Sequence, residues 1–369
     1  MSETHRPLDE SALRESASTR REFLSTAGAA AVTIAAAPFV HADNKSGNRT
    51  PIIGVDGHKY ECHHGWGQVP DHIKWQDTHG VAVDSAGLIY IKHRGPADAK
   101  MDTIAVFEPS GKFVRSFGKE YCGGGHGIDI RRDDGEEFLY LTCNKAHRWV
   151  VKMTLKGEKV WEMQQPKESG KYTDVSQFAP TNIAFAPDGG FYVADGYGSH
   201  YIHQYDKAAK WVRTWGGKGT DIGLFETPHG IWLDDRPGNA PAVIVADRAN
   251  ARLQYFTLDG KPLADRLVSD TVSFPANFDT RGTELLVPDL FARVTILDKN
   301  NKVIVHLGYD PEWTIQVLDD KKFTMRGKPE QWQAGRFIHP HDACWDKAGN
   351  IFVVEWVATG RVSFLRHLG

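Results

Sequence analysis

Three histidines in this chain stand at the same place in copies of one short pattern. His126-Gly127-Ile128, His229-Gly230-Ile231 and His341-Asp342-Ala343 each set an imidazole two residues ahead of an apolar position, and His79-Gly80-Val81 is a fourth copy of that form. Neutral imidazole is the commonest protein ligand for a transition metal. Three protein nitrogens with one position left open is the arrangement of a catalytic zinc site. Taken singly, each histidine reads equally well as a strand-end group bonded to the backbone. Three in one register point instead to a shared metal.

The elements that place them follow from the repeat. Two further copies lack the histidine, Thr181-Asn182-Ile183 and Ala276-Asn277-Phe278, which makes six. The third residues of successive copies (Val81, Ile128, Ile183, Ile231, Phe278, Ala343) are separated by 47, 55, 48, 47 and 65 positions. After each copy come a turn and an apolar β-rich run, such as Leu88-Ile89-Tyr90-Ile91 or Ile351-Phe352-Val353-Val354. A third strand and a closing strand follow, the latter in forms such as Gly111-Lys112-Phe113 to Phe117-Gly118. Four short strands in a unit of this length make a propeller blade. The expected fold is therefore all-β, a six-bladed propeller of the NHL-repeat type. The chain ends after a third strand, while Lys59-Tyr60-Glu61-Cys62-His63-His64-Gly65 matches the closing strand and precedes the first blade. The N-terminal strand is thus expected to close the ring, which removes a free sheet edge.

On such a ring the first residue of each innermost strand faces the axial channel. His126, His229 and His341 fall in blades two, four and six, so their imidazoles approach the axis from directions roughly 120° apart. Antiparallel pairing puts the end of each second strand on the same face. Arg94, Tyr197 and Arg248 stand at those ends. Guanidinium groups there suit an anionic, carboxylate-bearing small molecule or peptide as substrate.

Composition excludes several other functions. The 369 residues carry a formal net charge of -3 with no basic stripe, so nucleic acid is not an expected partner. Ser18-Thr19-Arg20-Arg21-Glu22-Phe23-Leu24 leads into a short apolar run and Val40-His41-Ala42. This reads as a twin-arginine export signal over 1–42, with the catalytic propeller over 43–369. The protein is expected to be periplasmic or secreted by that pathway, monomeric, and without stable membrane insertion once the signal is removed. Four scattered cysteines, Cys62, Cys122, Cys143 and Cys344, have neither metal-site nor disulfide-scaffold spacing and read as small buried hydrophobes.

The six anchors, His93-Arg94-Gly95, Asp195-Gly196-Tyr197, Ala246-Asp247-Arg248 and Pro340-His341-Asp342 together resemble the peptidyl-α-hydroxyglycine α-amidating lyase family, from about Gly80 to the C-terminus. The resemblance implies a six-bladed propeller with an axial zinc held by His126, His229 and His341. It implies catalytic roles for Arg94, Tyr197, Arg248 and Asp342, with Tyr197 as general base. It implies a structural calcium on the carbonyls of Val81 and Ile128 and on Asp342. The implied reaction breaks the C–N bond of an α-hydroxyglycine amide, giving a primary amide and glyoxylate. Tyr197 would take the hydroxyl proton, helped by cations such as Arg94 or Arg248. The chain departs from the family in three respects. Two disulfide pairs are absent, with Phe178 and Gly198 at one pair of positions and Ile244 and Tyr255 at the other. His339 replaces a methionine, and His79 stands where the family has no histidine. Two other functions suit the same repeats: a metal-dependent hydrolase or lactonase, and a non-catalytic NHL binding propeller.

Overall fold

A computed structural model describes residues 50–96 and 98–369. The twin-arginine segment lies outside them. Among the described residues no helix is long and apolar enough to cross a membrane.

The alternating apolar runs form six antiparallel sheets arranged as blades. The innermost strands are Thr78–Val83, Gly125–Asp133, Asn182–Phe185, Pro228–Asp234, Asp279–Arg281 and Pro340–Trp345. Second strands such as Ile89–His93 and Ala242–Asp247 are buried along their whole length, as expected of strands sandwiched between neighbouring blades. Blades one, two, three and five have the expected four strands. Blade four has three; its outer place is taken by isolated pairings of Pro262 with Phe256 and Val268 with Leu253.

The hydrophobic core is divided six ways, one part in each gap between blades. Tyr90 and Val106 of blade one meet Leu139 and Met153 of blade two, and Leu286 and Ile296 of blade five meet Val353 and Leu365 of blade six. The gap between the last and first blades is filled in the same way, by Phe352 and Val354 against Ile89 and Ile91. Closure is made by Tyr60–His64, which runs antiparallel to Arg361–His367 with Tyr60 opposite His367 and His64 opposite Ser363. Ile52–Ile53 adds a fifth strand outside it.

The 65-residue step holds an insertion between blades five and six. Its helix Pro311–Leu318 starts at Asp310, whose carboxylate accepts the Trp313 amide, and Trp313, Val317 and Met325 pack with Ala292, Ile338 and Val357 in a separate small core.

Candidate metal centre

Each of the four histidine-bearing innermost strands carries a one-residue bulge at the histidine, between Thr78 and Gly80, Gly125 and Ile128, Pro228 and Ile231, and Pro340 and Asp342. The two innermost strands without a histidine pair regularly. A bulge locally re-aims a side chain, here toward the axis. In blades two and four the glycine after the histidine serves the same end. A Cβ on Gly127 would sit 2.7 Å from the carbonyl oxygen of Thr181, and one on Gly230 would sit 2.7 Å from that of Ala276. Glycine therefore lets the next blade's backbone come close enough to bond the imidazole.

Those carbonyls fix the rings. Nδ1 of His126 lies 2.7 Å from Thr181 O, Nδ1 of His229 2.7 Å from Ala276 O, and Nδ1 of His341 2.8 Å from His79 O. Each acceptor is the first residue of the repeat in the following odd-numbered blade. A carbonyl only accepts, so Nδ1 carries the proton in all three rings and Nε2 presents a lone pair. The three ring centroids are 4.7, 4.7 and 4.8 Å apart. Burial first, and then neighbouring charges including Arg248, holds all three far below the ordinary histidine pKa, so they are neutral.

Nε2 of His126 and Nε2 of His229 are 3.1 Å apart. With both protons committed to Nδ1, two lone pairs face each other with no hydrogen between them. A cation between them resolves this. Two nitrogens bound tetrahedrally at about 2.05 Å from zinc are separated by about 3.3 Å. The donor set therefore fits a divalent metal with nitrogen preference, and zinc is one such ion.

His79 joins the cluster, its ring 4.6 Å from His341 and 5.1 Å from His126. By nitrogen separation alone, His79, His126 and His341 form a group within 4.8 Å. Anchoring separates them. His79 Nδ1 is buried with no partner, and its Nε2 accepts from Arg94 at 3.1 Å. His229 is not in that group, but of these four histidines His126, His229 and His341 alone have Nδ1 on a backbone carbonyl, which leaves Nε2 as the lone-pair nitrogen. His339 lies off this cluster, with Nδ1 on Leu290 O at 2.7 Å and its ring against Phe323 and Trp356.

Tyr197 stands at the mouth, its ring 5.4 Å from both His126 and His229 and the residue 46% exposed. Arg248 donates from Nη1 to the Tyr197 hydroxyl at 2.9 Å and from Nε to Pro275 O at 3.2 Å. Among the described residues its Nη2 is buried without a hydrogen-bond partner and Arg248 forms no ion pair, since Asp247 turns to Arg252 and Asn250 and Asp289 acts on it only electrostatically. A buried guanidinium with an idle donor is costly unless an anion binds there. Arg94 is turned elsewhere, to Asp77 at 2.9 Å and to His79.

Asp342 is buried, and its oxygens accept amide hydrogens from Val81, Asn277 and Ala343 at 3.0, 2.8 and 2.9 Å. Burial pushes its pKa up to about 7. Val81 and Ile128 pair with Ile91 and Leu141 in the first two blades. All four cysteines are free, and a Cβ at Gly198 would fall 2.0 Å from Asp195 Oδ1, which leaves no room for a cysteine there. Sequence reasoning missed Asp77 and Arg326, which reach this mouth from outside the repeat pattern. The nearness of Asp77 to His79 is a signal for the first; Arg326, in the insertion, has none.

These blades and this histidine cluster define a six-bladed propeller of NHL-repeat type with a candidate metal centre on its axis. No family model matches the chain. Peptidyl-alpha-hydroxyglycine alpha-amidating lyase 1 of Drosophila melanogaster is 26% identical over 307 residues, 76% of this chain and 51% of that protein. Peptidyl-glycine alpha-amidating monooxygenase of Mus musculus is 28% identical over 208 residues, 49% of this chain and 20% of that protein. NHL repeat-containing protein 3 of Homo sapiens is 30% identical over 207 residues, 54% of this chain and 57% of that protein. The chain thus spans between a fifth and somewhat over half of the length of these relatives. It is a homologue of the peptidyl-α-hydroxyglycine α-amidating lyases and of an NHL-repeat protein. Among solved structures, a streptogramin B lyase (12% identical, TM-score 0.52, 83% of this chain and 97% of that one) and a candidate gluconolactonase (10%, 0.53, 84% and 94%) share the fold.

Proposed function

We propose that this protein is an exported, metal-dependent carbon–nitrogen lyase that cleaves an α-hydroxyglycine amide to a primary amide and glyoxylate. The observation that carries the reading is the joint placement of three neutral, carbonyl-anchored imidazoles beside a tyrosine hydroxyl held by a buried arginine. His126, His229 and His341 would hold a divalent ion such as zinc, which would supply Lewis acidity that eases loss of the substrate hydroxyl proton.

The chain's own groups do the rest. Arg248 takes the substrate carboxylate on its idle Nη2 and holds the Tyr197 oxygen in place. That oxygen removes the proton from the α-hydroxyl as the carbon–oxygen double bond forms and the C–N bond breaks. The proton then passes to the leaving amide nitrogen, so that no water is consumed and the two products account for every atom. Asp342, whose buried carboxyl has amide partners but no cation, would hold a structural calcium with the carbonyls of Val81 and Ile128. The substrate is a carboxylate-bearing small molecule or peptide, and the protein acts as a monomer.

Purified metal-loaded protein should release glyoxylate stoichiometrically from an N-acyl-α-hydroxyglycine, without incorporating oxygen from labelled water. No glyoxylate, together with cleavage of an ester or lactone that does incorporate labelled oxygen, replaces the lyase with a hydrolase. Metal analysis that finds no ion on the purified chain favours a binding propeller. Export rests on Arg20 and Arg21; replacing both with lysine should leave precursor in the cytoplasm, and undiminished secretion refutes it.

A further inference from the structure

The insertion between blades five and six brings one side chain to the mouth of the axial centre. Asp319, Asp320, Lys321 and Phe323 all have positive φ, from 42° to 66°, a costly run for residues with side chains. Three residues later Arg326 reaches across to blade one and donates from Nη2 to Asp77 Oδ1 at 2.6 Å. The other oxygen of Asp77 takes Arg94 at 2.9 Å, so one carboxylate is shared by two guanidiniums. Arg326 is further set by Nε on Trp356 O at 3.1 Å and by its guanidinium carbon 3.4 Å from the Trp356 ring centre. Lys145 is within electrostatic reach of Arg94, Asp77 and Arg326; its pKa is held below the usual lysine value by desolvation first and by the two arginines after it. Arg326 is likewise within electrostatic reach of Tyr197.

The balance is cationic. Arg94 and Arg326 share one carboxylate, Asp77, with Lys145 in electrostatic reach of all three, and Arg248 has its own idle donor. A single substrate carboxylate uses Arg248 and leaves the outer group in excess positive charge.

We propose that Arg326 is a specificity-determining residue and that, with Arg94, it binds a second acidic group on the acyl part of the substrate, so that the preferred α-hydroxyglycine amide is a dianion. The proposal rests on the lyase reading for the reacting end, but the binding preference it asserts is independent of turnover. It also accounts for an arginine supplied by the one long interruption of the repeat.

The test is calorimetric titration of the metal-loaded full chain with succinate and with butanoate, acids of equal length that differ by one carboxylate. Succinate should bind about tenfold more tightly at low ionic strength, the size expected of one partly desolvated charge pair. Arg326→Gln should erase that difference and leave butanoate binding unchanged, and Arg326→Lys should keep part of it. Equal binding of the two acids by the unaltered protein overturns the proposal. So does Arg326→Gln weakening both acids alike with a lowered melting temperature, the result of a structural pin. Should that variant fail to fold, Lys145→Gln must still lower the succinate preference, and an unchanged preference counts against the cationic mouth. Glyoxylate release from N-acetyl-α-hydroxyglycine reports separately on the lyase reading, and its absence leaves the succinate result standing.

Discussion

At the scale of single residues, the site depends on where a few protons are held. Tyr197 differs from the other ten tyrosines in being half exposed over two imidazoles, with Arg248 donating to its oxygen. Tyr197→Phe removes the oxygen proposed to accept the proton but leaves the ring contacts and the three anchored imidazoles. Turnover should fall by about two to four orders of magnitude with metal content and melting temperature unchanged. A variant that keeps more than a tenth of the activity assigns the base elsewhere. The tyrosine and Arg248 were both readable from their places at the ends of second strands. What was not readable is that Arg94, at the equivalent place in blade one, is already held by Asp77 and His79. Side chains at equivalent repeat positions diverge because their non-repeated neighbours differ.

At the scale of the strand, the histidine–glycine pair of blades two and four is a unit. The bulge turns the imidazole inward, and the glycine admits the neighbouring carbonyl that bonds Nδ1. Gly127→Ala should push the Thr181 carbonyl away from His126 without touching any ligand atom. Loss of such a supporting bond costs about 10- to 100-fold in metal affinity. A competition titration with a chelator measures it, and an unchanged affinity would show that the carbonyl bond does not orient the ring. The repeat pattern located each pair, but the bulge itself has no sequence signature. It arises because one strand has a residue more than its partner, and that count is set by pairing.

At the scale of the whole molecule, the ring is closed by a segment distant in sequence from the strand it joins. Deleting residues 43–65 exposes the edge of Arg361–His367 and uncovers Leu365 and Val353, which pack with Tyr60 and Cys62. The truncated chain should aggregate on mild heating. An equally soluble and heat-stable product would place closure elsewhere.

Acid sensitivity is also a whole-molecule property. Among the described residues ten histidines are held below their ordinary pKa, each with burial as the leading cause. Five aspartates are raised, again by burial. Between pH 6.5 and 4 the unfolded chain takes protons on those histidines that the native state refuses, while the native state keeps protons on the aspartates that the unfolded chain releases. The histidines stabilise the fold above pH 6.5 and lose that contribution as pH falls; the aspartates act oppositely over the same window and are fewer. Stability should therefore decrease on acidification from pH 6.5 toward 4. Melting temperatures across that range check it, and a rise would reverse the assignment.

The sequence by itself determined the number of blades, the face on which the histidines open and which three of them stand in alternate blades. Each of these depends on periodicity, and periodicity survives in a one-dimensional text. The closing strand was legible for the same reason, since its pattern matched the blades it completes. Only the tertiary structure decided that blade four lacks a regular outer strand, that His79 joins the cluster without a carbonyl anchor, and that Asp77 holds two arginines. It alone placed Arg326, which lies in an insertion that follows no repeat. These are matters of which side chains meet through space, and contacts between unrelated segments leave no period to read.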